Sequence, residues 1–206
     1  MADTGPTSSA ADEALMLRYQ RGDTSAFAEL VRRHKSPVYN FVLRQLRSTS
    51  AAEDITQEAF LRVVQRAAEF KHEARFSTWL YTIARNLCID SVRKSKLRMH
   101  PSLDAPANDD GARTLLDVLP DRAPGADVGR AVEWTKIRRS IVDAVEALPE
   151  DQREVFLLRE VANLAFREIA EVTGTAENTV KSRMRYALER LRMALSEFEE
   201  YARALR

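Results

Sequence analysis

The 206-residue chain reads as an all-α protein of two small helical domains joined by an extended acidic linker. Three observations predict this. Apolar residues recur at three-and-four spacing on both sides of residues 99–130, which is the period of one helix face. Between those blocks, four of the seven prolines and three of the six glycines fall within 101–129, where six aspartates face two arginines. Such a stretch cannot bury a core and reads as a tether. The chain then closes on a basic helix-turn-helix pattern between Phe166 and Arg192.

Composition sets further bounds. The formal charge is +1, so only the distribution of charge can point to nucleic acid. A single cysteine, Cys88, excludes a disulfide framework and reads as packing. Residues 1–10, MADTGPTSSA, lack a basic start and an apolar run, so they are expected to be a disordered tail rather than a signal peptide. No run of 18 apolar residues exists, and no membrane insertion is expected. The expected location is the cytoplasm. No glycine-rich phosphate loop occurs, and His34, His72 and His100 lack metal-ligand spacing. Neither an enzyme, a metal nor a cofactor is expected.

The first helical block spans 11–98. Asp12 or Asp23 opens a helix, and Phe27, Leu30, Val31, Val38, Phe41 and Val42 form a stripe around Pro37. Ser50 to Glu53 resembles a capping box. The helix that follows turns Ile55, Ala59, Phe60, Val63 and Val64 inward and shows Glu53, Asp54, Gln57 and Glu58 on its other face. Acids in a first turn suit the helix dipole; a partner-binding surface is the alternative.

Phe70 to Phe76 is polar between two phenylalanines and reads as a loop, with a helix beginning near Ser77 or Thr78. From Arg85 to Arg98 five cations oppose one aspartate. Aromatic rings beside such a strip suit single-stranded nucleic acid, because bases stack on rings while cations track phosphates. Phe76 and Trp79 taken alone read first as core, and the two readings can share residues.

The second block spans 131–206. Trp134, Ile137, Ile141, Val145 and Leu148 share one face, and Pro149 starts a helix with Val155, Phe156 and Leu158 inside. In the helix-turn-helix, Ile169, Ala170 and Val172 are apolar, Gly174 leaves the first helix, and Thr175 caps the second. Val180, Met184, Ala187, Leu188, Leu191 and Leu195 form its buried stripe. Between 175 and 195 five cations face two acids. No role is assigned to 193–206.

Four segments in this order resemble the extracytoplasmic-function sigma factors, the two-domain class of bacterial transcription initiation factors. GDTSAFAELVRRH resembles their first characteristic helix, and AEDITQEAFLRVV their core-polymerase-binding motif. FSTWLYTIARNLCIDSVRK resembles their promoter-melting segment. LPEDQREVFLLREV with FREIAEVTG and NTVKSRMRYALERLR resembles their C-terminal domain.

The resemblance implies a division of labour. Asp54, Gln57, Glu58 and Phe60 would dock on the β′ clamp helices of core RNA polymerase. Phe70, Lys71, His72 and Arg75, with Phe76, would capture a flipped base of the −10 element. Trp79, Arg85, Asn86 and Arg93 would hold the opened strand. Thr179, Lys181, Ser182, Arg183, Arg185 and Tyr186 would read the −35 element in its major groove, near the polymerase β flap. The acidic linker would thread toward the RNA path, and an anti-sigma factor would cover the DNA surfaces. Ala176, Tyr186, Leu188 and the loop KHEAR depart from the family's common residues, so its usual promoter preferences do not carry over. The rival reading is a helix-turn-helix repressor or response-regulator effector domain, which leaves residues 69–98 without a task.

Overall fold

In the computed structural model the described residues are 9–71, 74–98 and 128–198, with side chains described from Asp12 onward except at 96–98 and 128–134. Residues 1–8, His72, Glu73, residues 99–127, the side chain of Trp134 and residues 199–206 lie outside them, so the tail expected over 1–10 is described only at its last two residues, which belong to the first helix.

Two of the first-domain helices meet at a turn where Gly22 takes φ 97°. They are α1, Ser9–Gln20, and α2, Thr24–Leu46. Asp23 caps α2 by accepting from the backbone N–H groups of Ser25 (3.0 Å) and Ala26 (3.3 Å). Asp12, the alternative opener, lies inside α1 and locks it to α2 instead. Its buried carboxylate accepts from Arg33 and pairs with His34, both at 2.8 Å. Burial raises the Asp12 pKa, but those bonds outweigh it and hold the carboxyl below its ordinary 3.8. The α2 helix continues through Pro37, burying Leu30, Val38, Phe41 and Val42 completely.

Arg47 ends α2 in the left-handed region, which leaves Ser48 extended and able to cap α3, Thr49–Gln65. Ser48 Oγ accepts from Ala51 N–H at 3.3 Å. The expected capping box at Ser50 and Glu53 is therefore displaced, because α3 starts before it. Ile55, Ala59, Phe60 and Val63 face inward, whereas Val64, expected there, is 40% exposed. A 3₁₀ turn, Ala67–Glu69, leads to α4, Phe76–Arg98. That start is slightly earlier than expected. Phe76, Leu80, Tyr81 and Ala84 are sealed against α2, with Tyr81 edge-on to Phe41 at 5.4 Å.

The second lobe comprises α5 (Val128–Glu146), α6 (Glu150–Glu160), α7 (Phe166–Thr173) and α8 (Glu177–Ala194). The first of these begins inside the stretch assigned to the linker. Ile137, Val145 and Leu148 are buried as expected, but Val142 takes the central place expected for Ile141. In α6, Leu157 is sealed and Phe156 only half-buried, a correction of one position in the stripe.

The lobes touch. The α4 helix packs against α7 and α2 against α6, and one apolar cluster runs through both lobes. Charged groups line the seam. Glu154 takes a two-pronged contact from Arg85 (2.8 and 3.2 Å), and Glu168 pairs with Arg75 at 2.9 Å. Arg47 donates to the Glu146 carbonyl at 2.6 Å. Arg44 is buried 3.9 Å from the Glu146 carboxylate, and its Nε and Nη2 find no protein acceptor.

Candidate nucleic-acid interface

The turn of the helix-turn-helix rests on one backbone conformation. Gly174 takes φ 66° and caps α7 through its N–H to the Ala170 carbonyl. A Cβ there would meet nothing within 4 Å, so the positive φ, not crowding, calls for glycine. At the other end of α7, Glu168 reaches back to accept from Ala165 N–H at 2.6 Å. Thr175 does not cap α8. Its hydroxyl sits 2.9 Å from that of Thr173, and Ala176 occupies the cap position with no side-chain acceptor. The turn is one residue longer than expected, and Glu177 supplies the negative charge in the first turn of α8.

Val180, Met184, Ala187 and Leu191 anchor α8, while Leu188, expected in that stripe, is 49% exposed. The opposite face stays open. Thr179, Lys181, Ser182, Arg185 and Tyr186 are all exposed along it. Lys181 pairs with Glu177 at 2.6 Å, and the Arg185 guanidinium lies 4.9 Å over the Tyr186 ring. Arg183 sits at the edge of this face, drawn toward α6 by Asp151 at 3.0 Å. Six predicted residues thus share one helix, five fully presented and one tethered.

The first-lobe surface is more divided. Phe70 and Phe76 are buried and pack edge-on or tilted with Trp79 in a three-ring cluster at 5.3–6.4 Å. In the free chain those two phenylalanines form the floor beneath Trp79. Trp79 is half-buried, whereas Lys71, Asn86 and Arg93 are exposed. Arg75 and Arg85 are held by the other lobe through Glu168 and Glu154. Neither carboxylate was legible as a partner, since nothing local in the sequence marks them.

On α3, Asp54 and Gln57 are exposed, and Glu58 pairs with Arg62 at 3.0 Å. Phe60 is 8% exposed and forms the floor of a groove, so it is reached only from within. The groove, about 720 Å³, runs between α2 and α3 and is walled by Val31, Tyr39, Leu61 and Val64. Leu61 and Val64 are exposed apolar residues beside an acidic-polar face, a combination that suits a protein partner. Val64 was expected in the inward stripe, and Leu61 carried no expectation.

Among the described residues no helix is long and apolar enough to cross a membrane, and no cluster of metal-ligating side chains occurs.

Known proteins align with this geometry. A family model for Sigma-70 region 2 matches residues 30–98, and one for Sigma-70, region 4 matches 138–191. The ECF RNA polymerase sigma factor SigW of Bacillus subtilis is 35% identical over 85% of this chain and 92% of its own. The RNA polymerase sigma-H factor of Pseudomonas aeruginosa is 32% identical over 89% and 93%. Among solved structures, CnrH in complex with the cytosolic domain of CnrY superposes with a TM-score of 0.63 at 20% identity. It covers 91% of this chain and 98% of that one. RpoE in complex with the anti-sigma factor NepR from Bartonella quintana gives 0.59 at 20% identity, covering 82% and 96%. These two structural likenesses concern the fold.

Proposed function

The chain belongs to the extracytoplasmic-function sigma factors of RNA polymerase, and from that premise we propose how its residues share the work. It is a transcription initiation factor and not an enzyme; its partners are core RNA polymerase and promoter DNA. The site of its work is the cytoplasm, where the polymerase is. The domains run 11–98 for core binding and promoter opening, 99–130 as tether, and 131–206 for the upstream element.

The upstream reader is α8. Thr179, Ser182, Arg185 and Tyr186 enter the major groove, and Arg183 joins them by exchanging Asp151 for a base edge or phosphate. Lys71, Trp79, Asn86 and Arg93 face the opened strand, with Arg75 and Arg85 added once their carboxylate partners leave. Asp54, Gln57 and Glu58, with Leu61 and Val64 flanking the groove, meet the polymerase clamp.

The observation that carries this reading is the open, cation-bearing face of α8 beside a fully buried opposite face. Any surface helix divides its faces in this way; what supports a reading role is that the exposed one gathers Lys181, Arg183, Arg185 and Tyr186 inside the segment matched to Sigma-70, region 4. The two solved relatives were each captured with a partner, one named as an anti-sigma factor. An anti-sigma factor is accordingly the expected regulator here.

Closure of the lobes has a consequence for the cycle. Arg75 and Arg85 cannot hold phosphates while paired to Glu168 and Glu154, so the lobes separate before the promoter opens. Run-off transcription with purified core polymerase over a promoter library tests the whole reading. Promoter-specific transcripts are expected only from the combined proteins. Arg183→Ala should weaken promoter binding by about 1–3 kcal/mol, the range for a base contact. A chain that bound duplex operators tightly alone and yielded no transcripts would support the repressor reading instead.

A further inference from the structure

The connection that enters α4 is held from a helix that precedes both matched regions. Gln20, at the end of α1, donates its amide to the carbonyls of Ala67 (2.7 Å) and Phe70 (3.0 Å). Glu13, seven residues earlier, accepts from the backbone N–H of Phe76 at 2.7 Å. Seven residues are two helical turns, so both side chains lie on one face of α1, about 10 Å apart along its axis. That face spans the two described ends of the connection.

The first N–H groups of a helix lack partners within it. Arg75, which precedes α4, has no acceptor in its side chain, so the buried Phe76 N–H depends on Glu13. Gln20 is the counterpart at the entry side, where one carbonyl opens the 3₁₀ turn and the other follows it. Neither residue reaches a candidate DNA surface, and the region 2 match begins only at residue 30.

We infer that Glu13 and Gln20 are positioning residues for promoter opening: from α1 they fix both ends of the segment between Phe70 and Phe76. The inference rests on the proposed role of that segment. A plain capping role predicts a loss of stability that lowers transcription equally from duplex and pre-melted templates. A positioning role predicts loss in one step, with recovery when the acceptor is kept. Glu13→Gln retains a carbonyl oxygen that can accept from Phe76, whereas Glu13→Ala does not. Gln20 is exposed, and Gln20→Leu removes its donor without disturbing a buried site.

The test uses the full chain with core polymerase on a duplex promoter and on the same promoter pre-melted. Permanganate reactivity of unpaired thymines reports opening, and NMR hydrogen exchange in the free chain reports the Phe70 and Phe76 amides. Glu13→Ala should speed exchange at those amides and lower duplex opening by roughly tenfold, the scale of one lost buried hydrogen bond, and Gln20→Leu, whose bonds are exposed or half-buried, should do both to a smaller extent. Transcription from the pre-melted template should be largely retained, and Glu13→Gln should match the parent. Equal losses on duplex and pre-melted templates would overturn the inference, as would unchanged opening despite faster exchange. Lys71→Ala separates the two levels of the argument. If it opens promoters normally, the role of the segment itself fails; if it fails to open them while Gln20→Leu succeeds, only the positioning role does.

Discussion

The α4 helix has two contact faces built on different chemistry. Toward α2 it presents Phe76, Leu80, Tyr81 and Ala84, all sealed and mostly apolar. Toward the second lobe its packing is interleaved with arginine–carboxylate pairs and with the poorly satisfied Arg44 of α2. The first face has no competitor in water or on DNA, so it is permanent. The second is made of arginines that phosphates also attract, so its partners can be exchanged. One helix thus serves as a pillar on one side and as a separable joint on the other.

The largest effect is expected on the sealed side. Phe41→Ala should destabilise the first lobe by about 3–5 kcal/mol, read by denaturant unfolding, because it opens a cavity beneath Tyr81. A loss confined to the seam, with the first lobe's unfolding unchanged, would break the contrast. Next comes Glu154→Arg, which places a cation against Arg85. It should shift the lobes apart by about 1–3 kcal/mol, since the lost contact is charged and mostly buried. First-lobe unfolding should not move, and hydrogen exchange should rise in α6 and α7 relative to α2.

The smallest effect has the opposite sign. Burial drives the Arg44 pKa down to about 10, with Glu146 only partly opposing. Arg44→Met exchanges an ill-paired charge for an apolar side chain of similar length, so the closed form should gain about 1 kcal/mol. Slower promoter opening with a higher unfolding midpoint would support this; a looser seam would show that Arg44 is a net contributor to closure.

Much of this architecture was legible from the sequence, and the misses share physical causes. Helix identity came through because three-and-four spacing is local, and Gly174 came through because only one residue type adopts its φ freely. The cap at Ser48 is not separable from Ser50 by sequence because three consecutive hydroxyls, Ser48, Thr49 and Ser50, lie within reach of one helix start. Val64 and Leu188 were assigned inward on period alone, yet one lines an open groove and the other meets water. Aromatic rings beside cations suit both a DNA contact and a core, and the burial of Phe70 and Phe76 in the free chain is a tertiary fact that the local pattern does not carry. Arg85 with Glu154, 69 residues apart, was invisible, since a pairing across lobes leaves no periodic trace. The same holds for Glu13 with Phe76.

The central claim is that the second lobe occupies the DNA-facing side of α4 and must leave it. Two exposed positions, one on each lobe, allow a direct distance measurement: Thr24→Cys on α2 and Glu189→Cys on α8. In the closed chain burial, aided by the charge of Glu154, pushes the Cys88 thiol up to about 12; because it lies at the seam that opens, the labelled chains carry Cys88→Ala. Energy transfer between labels at the two sites should report one short distance in the free chain and a longer one in the complex with core polymerase and promoter. Glu154→Arg should populate the longer distance without any partner. An identical distance in the free chain, in the variant and in the promoter complex would contradict the account.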